Sequence, residues 1–408
     1  MQSHGCGREN AAERRVKTNY SQATQLATMG RPESGWANTP IVKGSTYLFD
    51  NLEQWRSARS KRESERVLSY GARGNETLYA LEDAITALEG GFRTKLFPTG
   101  LAAIATTLLG CLKSGDHLLI SDGIYDPMRQ LCENLLQNYG ITHSYFTPTD
   151  PEWERHLLPQ TRMVYVESPG SLLYDMLDLP AMSRTCKARG ILLCADNTWG
   201  SGISYRPLHL GCDISIMAAT KYLGGHSDVM MGSVTTTAAC FKAIEQASVN
   251  LGQTVSSDDA FLVLRGIRTL GLRLERHSRN ALRIAKWLGD INAVARVFHP
   301  ALESDPNHQL WKRDASGSNG LISIEFKPDA DPHEIEQGID GLQLFGIGSS
   351  WGGFESLVLP VDPARTRLRN DNSIGYLLRL HIGLEDPDDL ISDLEAMFSR
   401  ISEPVSSV

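Results

Sequence analysis

The sequence predicts an α/β protein built on a mostly parallel sheet with helices on both faces. Three observations predict it. Short apolar runs recur along the chain, among them HLLIS (117–121), RMVYVES (162–168), ILLCAD (191–196) and DISIMAA (213–219). Segments long enough for a helix separate them. The runs are apolar throughout rather than alternating, which is the pattern of strands covered on both sides.

Taken in order, the elements follow from local signals. TLYALEDAITALEGG places Leu78, Leu81, Ile85 and Leu88 at helical spacing and stops at a glycine pair. The strand TKLF follows and turns through Pro98, Thr99 and Gly100 into the helix LAAIATTLLGCLK. After Ser114-Gly115-Asp116 come the strand HLLIS, the helix MRQLCENLLQNYG and the strand ITHSYF. RMVYVES, ILLCAD, DISIMAA and MMGSVTT read as the remaining strands of this unit. Residues before Asn75 are rich in Ser, Arg, Asn and Glu and read as an extended arm. Beyond Arg268 a long helix, LRLERHSRNALRIAKWLGD, leads into a mixed region that ends in the helix DDLISDLEAMFSR. The expected division is an arm over 1–74, a ligand-binding domain over 75–267 and a smaller α/β domain over 268–408.

Length and composition bound the function. The 408 residues suit two or three domains. Forty Lys and Arg stand against 48 Asp and Glu, a net charge of −8, and no long basic run occurs, so neither a nucleic acid nor an anionic membrane is expected as partner. Seven cysteines are scattered with no C-x-x-C pair, which suits a reducing compartment and neither a zinc site nor a disulfide framework. The polar opening MQSHGCGRENAAERR lacks the apolar segment of a signal peptide, and no apolar run is long enough to span a bilayer. A soluble, cytoplasmic protein without a metal is the expectation.

The chain carries no G-x-G-x-x-G after a strand, no Walker A run, no H-E-x-x-H and no G-x-S-x-G. In an open parallel sheet, ligands bind outside the carboxyl ends of the strands. Three polar sets stand there. Asp196 ends ILLCAD, Thr220-Lys221 follows DISIMAA, and Gly100-Leu101 opens a helix where free backbone N–H groups favour an anion. Each alone is ordinary. Together and in this order they suit pyridoxal 5'-phosphate (PLP): lysine forms a Schiff base with the aldehyde, the carboxylate keeps the pyridinium nitrogen protonated, and the N–H groups hold the phosphate.

The stretches ADNTW, SIMAATKYLGGHSD, SYGARGNETLYALEDAITALEGG and LRLHIGLEDPDDLI resemble the Cys/Met-metabolism PLP-dependent enzymes, over nearly the whole chain from Asn38 to Ile401. Within that family the chain is similar to the bacterial cystathionine β-lyase branch at Glu167-Ser168-Pro169-Gly170-Ser171, at Asp196-Asn197-Thr198-Trp199 and at Ser350-Trp351-Gly352-Gly353-Phe354-Glu355. Ala218, three residues before the lysine, also suits that branch, where the γ-enzymes usually carry Ser.

The resemblance implies a PLP-dependent transferase-like fold of the aspartate aminotransferase type and roles residue by residue. Lys221 is the Schiff-base lysine and the base at Cα. Asp196 pairs with the pyridine nitrogen, and Tyr125 stacks on the ring. Gly100, Leu101 and Thr220 hold the phosphate, and Tyr70 reaches it from a neighbouring subunit, so a homodimer is the minimum and a tetramer the expected assembly. Arg379 grips the α-carboxylate of a small amino-acid substrate, with Ser350 and Trp351 lining that end. Tyr125 and Tyr70 join Lys221 as catalytic candidates.

Two positions depart from the family pattern. Ala72 stands where an arginine usually reaches the partner's phosphate, leaving Arg73 next to it as the substitute, and Ser349 stands where bacterial β-lyases often carry Tyr. The implied activity is β-elimination from L-cystathionine or another cysteine S-conjugate. A γ-lyase or γ-replacement enzyme, or a catalytically silent relative, is the alternative.

Overall fold

The computed structural model describes residues 20–32, 35–62, 65–362 and 375–401. The polar opening segment and Cys6 therefore lie outside the described residues.

The arm is not extended throughout. It carries α1 (Gln22–Thr28) and α2 (Leu52–Lys61), the latter capped by Asn51, whose side chain accepts the Gln54 N–H. Next come α3 (Glu76–Glu89), β1 (Arg93–Phe97), α4 (Gly100–Cys111), β2 (His117–Ser121) and α5 (Asp126–Asn134). Asn75 caps α3 by accepting two backbone N–H groups, and Gly90 ends it in the left-handed conformation at φ 70°. The helix expected over 128–140 is shorter than its periodicity suggests. α5 stops at Asn134, and a tighter turn over Leu136–Tyr139 buries Leu136 completely before Gly140 reverses the chain at φ 72°.

β3 (Thr142–Phe146), β4 (Thr161–Glu167), α6 (Leu179–Ala188), β5 (Leu192–Asp196), β6 (Ile214–Met217) and β7 (Gly232–Thr236) complete a seven-stranded sheet of order β1-β7-β6-β5-β4-β2-β3. Every pairing except those of β7 is parallel; β7 runs antiparallel to both β1 and β6. The carboxyl ends of β1, β6, β5 and β4 consequently share one edge, with the amino end of β7 among them. β2 is buried at every residue, as a strand covered on both faces must be. The helices α4 and α5 cover one face through Ile104, Leu108, Met128 and Cys132.

The chain continues through α7 (Ala238–Asn250), α8 (Ser257–Ile267) and α9 (Leu270–Leu288). β8 (Val294–Phe298), α10 (His308–Asp314), β9 (Leu321–Phe326), α11 (Pro332–Asp340), β10 (Gly346–Ile347), β11 (Leu357–Val361), β12 (Leu377–His381) and α12 (Pro387–Phe398) follow. These strands form a second sheet of order β10-β11-β12-β9-β8, antiparallel except at β10. Its core joins Ile322, Ile324, Leu378 and Leu380 to Ile284, Leu288, Leu390 and Leu394 from α9 and α12. Each fully buried aliphatic side chain of this kind contributes roughly 1.5–3 kcal/mol.

Candidate active site

The strand order brings the three polar sets together. Asp196 is the last residue of β5, and Lys221 follows the end of the neighbouring strand β6 by four residues. The amino end of α4 meets the same edge: a Cβ on Gly100 would stand 2.9 Å from the Ala218 side chain, so glycine lets the helix start close to the β6 turn. Thr99 caps α4 by accepting the Ala102 N–H at 3.0 Å, leaving the first N–H groups, those of Gly100 and Leu101, for a ligand. Thr220 is tied to the start of β7. Its Oγ1 accepts the Met231 N–H at 2.9 Å and donates to the Met231 carbonyl at 3.1 Å, so a phosphate would compete for that proton.

Asp196 is buried, and burial pushes its carboxyl above the usual range. Thr198 opposes this by donating its N–H at 2.9 Å and its hydroxyl at 2.6 Å to one carboxylate oxygen. The Tyr165 hydroxyl lies 3.4 Å from the other oxygen, which has no shorter partner among the described residues. That oxygen suits a protonated ring nitrogen. Lys221 is also withdrawn from water. Burial, then the nearby Arg379 guanidinium, lower its amine to about 8, against the opposing pull of Asp196.

From the second sheet the loop at Ser350 reaches over to the lysine. Lys221 Nζ donates to Ser350 Oγ at 2.6 Å and lies 5.1 Å from the centre of the Trp351 ring. Arg379, in the middle of β12, donates through Nη2 to the Ser350 carbonyl at 3.1 Å. Burial lowers its pKa, and no carboxylate is ion-paired with it among the described residues. A buried guanidinium without a counter-charge is costly, and a substrate carboxylate would relieve that cost. Trp351 also packs on Tyr222 at 5.5 Å between ring centres, so it serves both the core and the site. Phe354 is 53% exposed.

Tyr125 stands at the start of α5 with about half its surface exposed, and its backbone N–H donates to Glu167 at the end of β4 at 2.7 Å. Burial, then the charges of Asp196 and Glu167, raise its phenol pKa, so it keeps its proton at neutral pH. Tyr70 is placed elsewhere. It pairs with Thr46 in the arm and is 53% exposed, while the Arg73 carbonyl accepts the Tyr79 hydroxyl at 3.4 Å. Sequence reasoning did not single out Thr198, Tyr165 or Glu167 as partners. The Asp-x-Thr spacing of Asp196 and Thr198 is a local signal for the first; the other two lie on β4 and meet their partners only through strand pairing.

An amine of lowered pKa, a buried acid with one oxygen held only at 3.4 Å by Tyr165, a helix start freed by glycine and a largely buried guanidinium with no ion-paired carboxylate among the described residues fit PLP carrying an amino acid. With the sheet order, they define a PLP-dependent enzyme of the aspartate aminotransferase-type fold. The chain belongs to the Cys/Met metabolism PLP-dependent enzymes, whose family model matches residues 22–399. It is similar to the cystathionine beta-lyase of Bordetella avium, with 43% identity over 376 residues covering 90% of this chain and 94% of that protein. The cystathionine beta-lyase of Escherichia coli is 40% identical over 388 residues, 93% and 98% of the two chains. Among solved structures, cystathionine gamma synthase from Xanthomonas oryzae pv. oryzae in complex with cystathionine matches with a TM-score of 0.86 at 32% identity, covering 94% of this chain and 99% of that one.

Proposed function

We propose that the chain is a PLP-dependent carbon–sulfur β-lyase that cleaves L-cystathionine or related cysteine S-conjugates to a thiol, pyruvate and ammonia. One observation carries this reading: Lys221 Nζ and the Arg379 guanidinium meet on the same residue, Ser350, so a base and a carboxylate grip lie one residue apart in space. The names of the relatives at 40% and 43% identity support it. Bound PLP supplies the electron sink that makes the Cα proton acidic. Arg379 holds the α-carboxylate, Lys221 takes the Cα proton, the thiolate leaves from Cβ and gains a proton to give the thiol, and water hydrolyses the released aminoacrylate to pyruvate and ammonia. Asp196 holds the proton on the ring nitrogen, Tyr125 stacks on the ring, and Gly100, Leu101 and Thr220 bind the phosphate. Ser350 and Trp351 wall the substrate end.

Tyr70 and Arg73 act, in this proposal, in a neighbouring subunit's site. The arm supports that assembly by exposing Trp36 (71%), Leu48 (85%) and Leu52 (64%), apolar area suited to a second copy of the chain. A dimer is the minimum and a tetramer the proposed whole, with an arm to 74, a PLP-binding domain to 267 and a C-terminal domain beyond. No helix among the described residues is long and apolar enough to cross a membrane. The six described cysteines are all unpaired, which supports a cytoplasmic location.

The deciding experiment supplies a panel of cysteine thioethers and measures the keto acid formed. Pyruvate supports β-elimination; 2-oxobutyrate from cystathionine would move the chain to the γ-lyases. With serine at 349, several S-conjugates are expected to turn over beside cystathionine.

Two variants probe the cofactor contacts. Asp196→Asn keeps an acceptor for Thr198 but loses the charge, so PLP should remain bound while turnover falls on the order of a hundredfold. Unchanged turnover would remove Asp196 from its role. Ala72→Arg should slow PLP dissociation, since a charge-assisted hydrogen bond is worth about 1.5–3 kcal/mol, or roughly ten- to hundredfold in affinity. Should Ala72→Arg have no effect while Arg73→Ala loosens PLP, Arg73 already makes that contact.

A further inference from the structure

We propose that His381 is the positioning residue of the substrate-carboxylate subsite, clamping the 350–355 loop so that Lys221 and Arg379 face one substrate. This rests on the reading of the site as one that binds an amino acid. His381 closes β12 two residues after Arg379, so the two side chains share a face of the strand. Its side chain is fully buried. Nε2 accepts the Gly352 N–H at 3.0 Å, and Nδ1 lies 3.0 Å from the Glu355 carbonyl, to which it donates. One nitrogen accepting and the other donating fixes a neutral ring, because a protonated imidazole has no acceptor.

The held loop is locally unfavourable. Ser350 sits at φ 84° and Gly352 at φ 89°; a serine in that region persists only when its surroundings impose it. Gly352 also packs against the lysine's own backbone, since a Cβ there would stand 2.9 Å from the Lys221 carbonyl carbon. The same loop carries Ser350, which binds both Lys221 and Arg379, and Trp351, whose ring lies beside the amine. The His381 ring is itself wedged between Tyr222 at 5.8 Å and His277 at 5.2 Å. One strand thus supplies the carboxylate grip at Arg379 and, at His381, the bolt that holds the loop aligning that grip with the base.

The test compares three variants of the holoenzyme. His381→Phe keeps the ring packing and loses both hydrogen bonds, His381→Asn keeps a donor for Glu355 alone, and His381→Gln brings an amide oxygen within reach of the Gly352 N–H. His381→Phe and His381→Asn should raise KM about tenfold, with kcat changed much less, as the loss of one buried hydrogen bond implies. His381→Gln should restore most of the KM. In the PLP-free protein, hydrogen exchange at the Gly352 amide should accelerate in the first two variants and remain slow in the third. Equal KM values across the three, or a Gly352 amide still protected in His381→Phe, would overturn the proposal. If His381→Phe does not fold, His381→Asn against His381→Gln decides the matter. Should the wild-type protein cleave no thioether, the β-lyase reading fails by itself. The clamp is then decided by Gly352 exchange and by titrating the visible band of the bound cofactor with L-alanine.

Discussion

Lys221→Ala is expected to abolish turnover and the reducible linkage to PLP, because among the described residues no other amine stands at a strand end beside Asp196. Borohydride treatment followed by peptide mapping should find the cofactor on Lys221 in the wild type and on no lysine in the variant. Near-normal turnover in Lys221→Ala would sink the site assignment. The lysine also carries a cost that can be measured without the cofactor. In the folded chain its amine is lowered to about 8, chiefly by burial. The native state therefore holds fewer protons than the unfolded one, and stability rises with pH between about 8 and 10.5. Below that window the buried charge opposes folding by up to about 3 kcal/mol. PLP-free Lys221→Met should consequently be the more stable protein at pH 7, with the gap closing above pH 10. A gap independent of pH would show that the amine is not desolvated.

Arg379→Leu is expected to lower kcat/KM for every amino-acid substrate by about two to three orders of magnitude, the scale set by removing one partner of a desolvated charge pair. The effect should fall mainly on KM, since Lys221 and Asp196 remain, and thioethers lacking the α-carboxylate should not discriminate between the two proteins. In the PLP-free variant the Lys221 amine should titrate above 8, because the loss of a neighbouring cation removes one of the two causes that lower it. The pH dependence of amine acetylation reads this directly. A KM that does not move would take Arg379 out of the carboxylate site.

The central sheet was legible because its signals are local. Continuous apolar runs mark β2, β4, β5 and β6, and the glycine pair at 90–91 ends α3. The two helices of the arm were not legible: α1 has seven residues, of which only Leu26 is buried, and α2 buries only Ala58, so neither carries an apolar stripe to read. The second sheet read only as a mixed region. Its strands other than β10 pair antiparallel across gaps filled by α10, α11 and loops, and β10 is two residues long.

The amino-acid sequence by itself determined which residues end the parallel strands and which glycine opens α4, and so named Asp196, Lys221 and Gly100 as one chemical set. That was possible because strand ends and helix starts are set by nearest neighbours along the chain. Tertiary structure alone decided that Ser350, 129 residues from Lys221, accepts from both Lys221 and Arg379 at the centre of the site, and that Arg379 is largely withdrawn from water with no ion-paired carboxylate among the described residues. It also decided the contacts of His381, Tyr165 and Glu167. The physical reason is visible at Ser350. A serine at φ 84° has no local preference for that conformation, and only contacts with Lys221, Arg379 and, through Gly352, His381 make it the stable one.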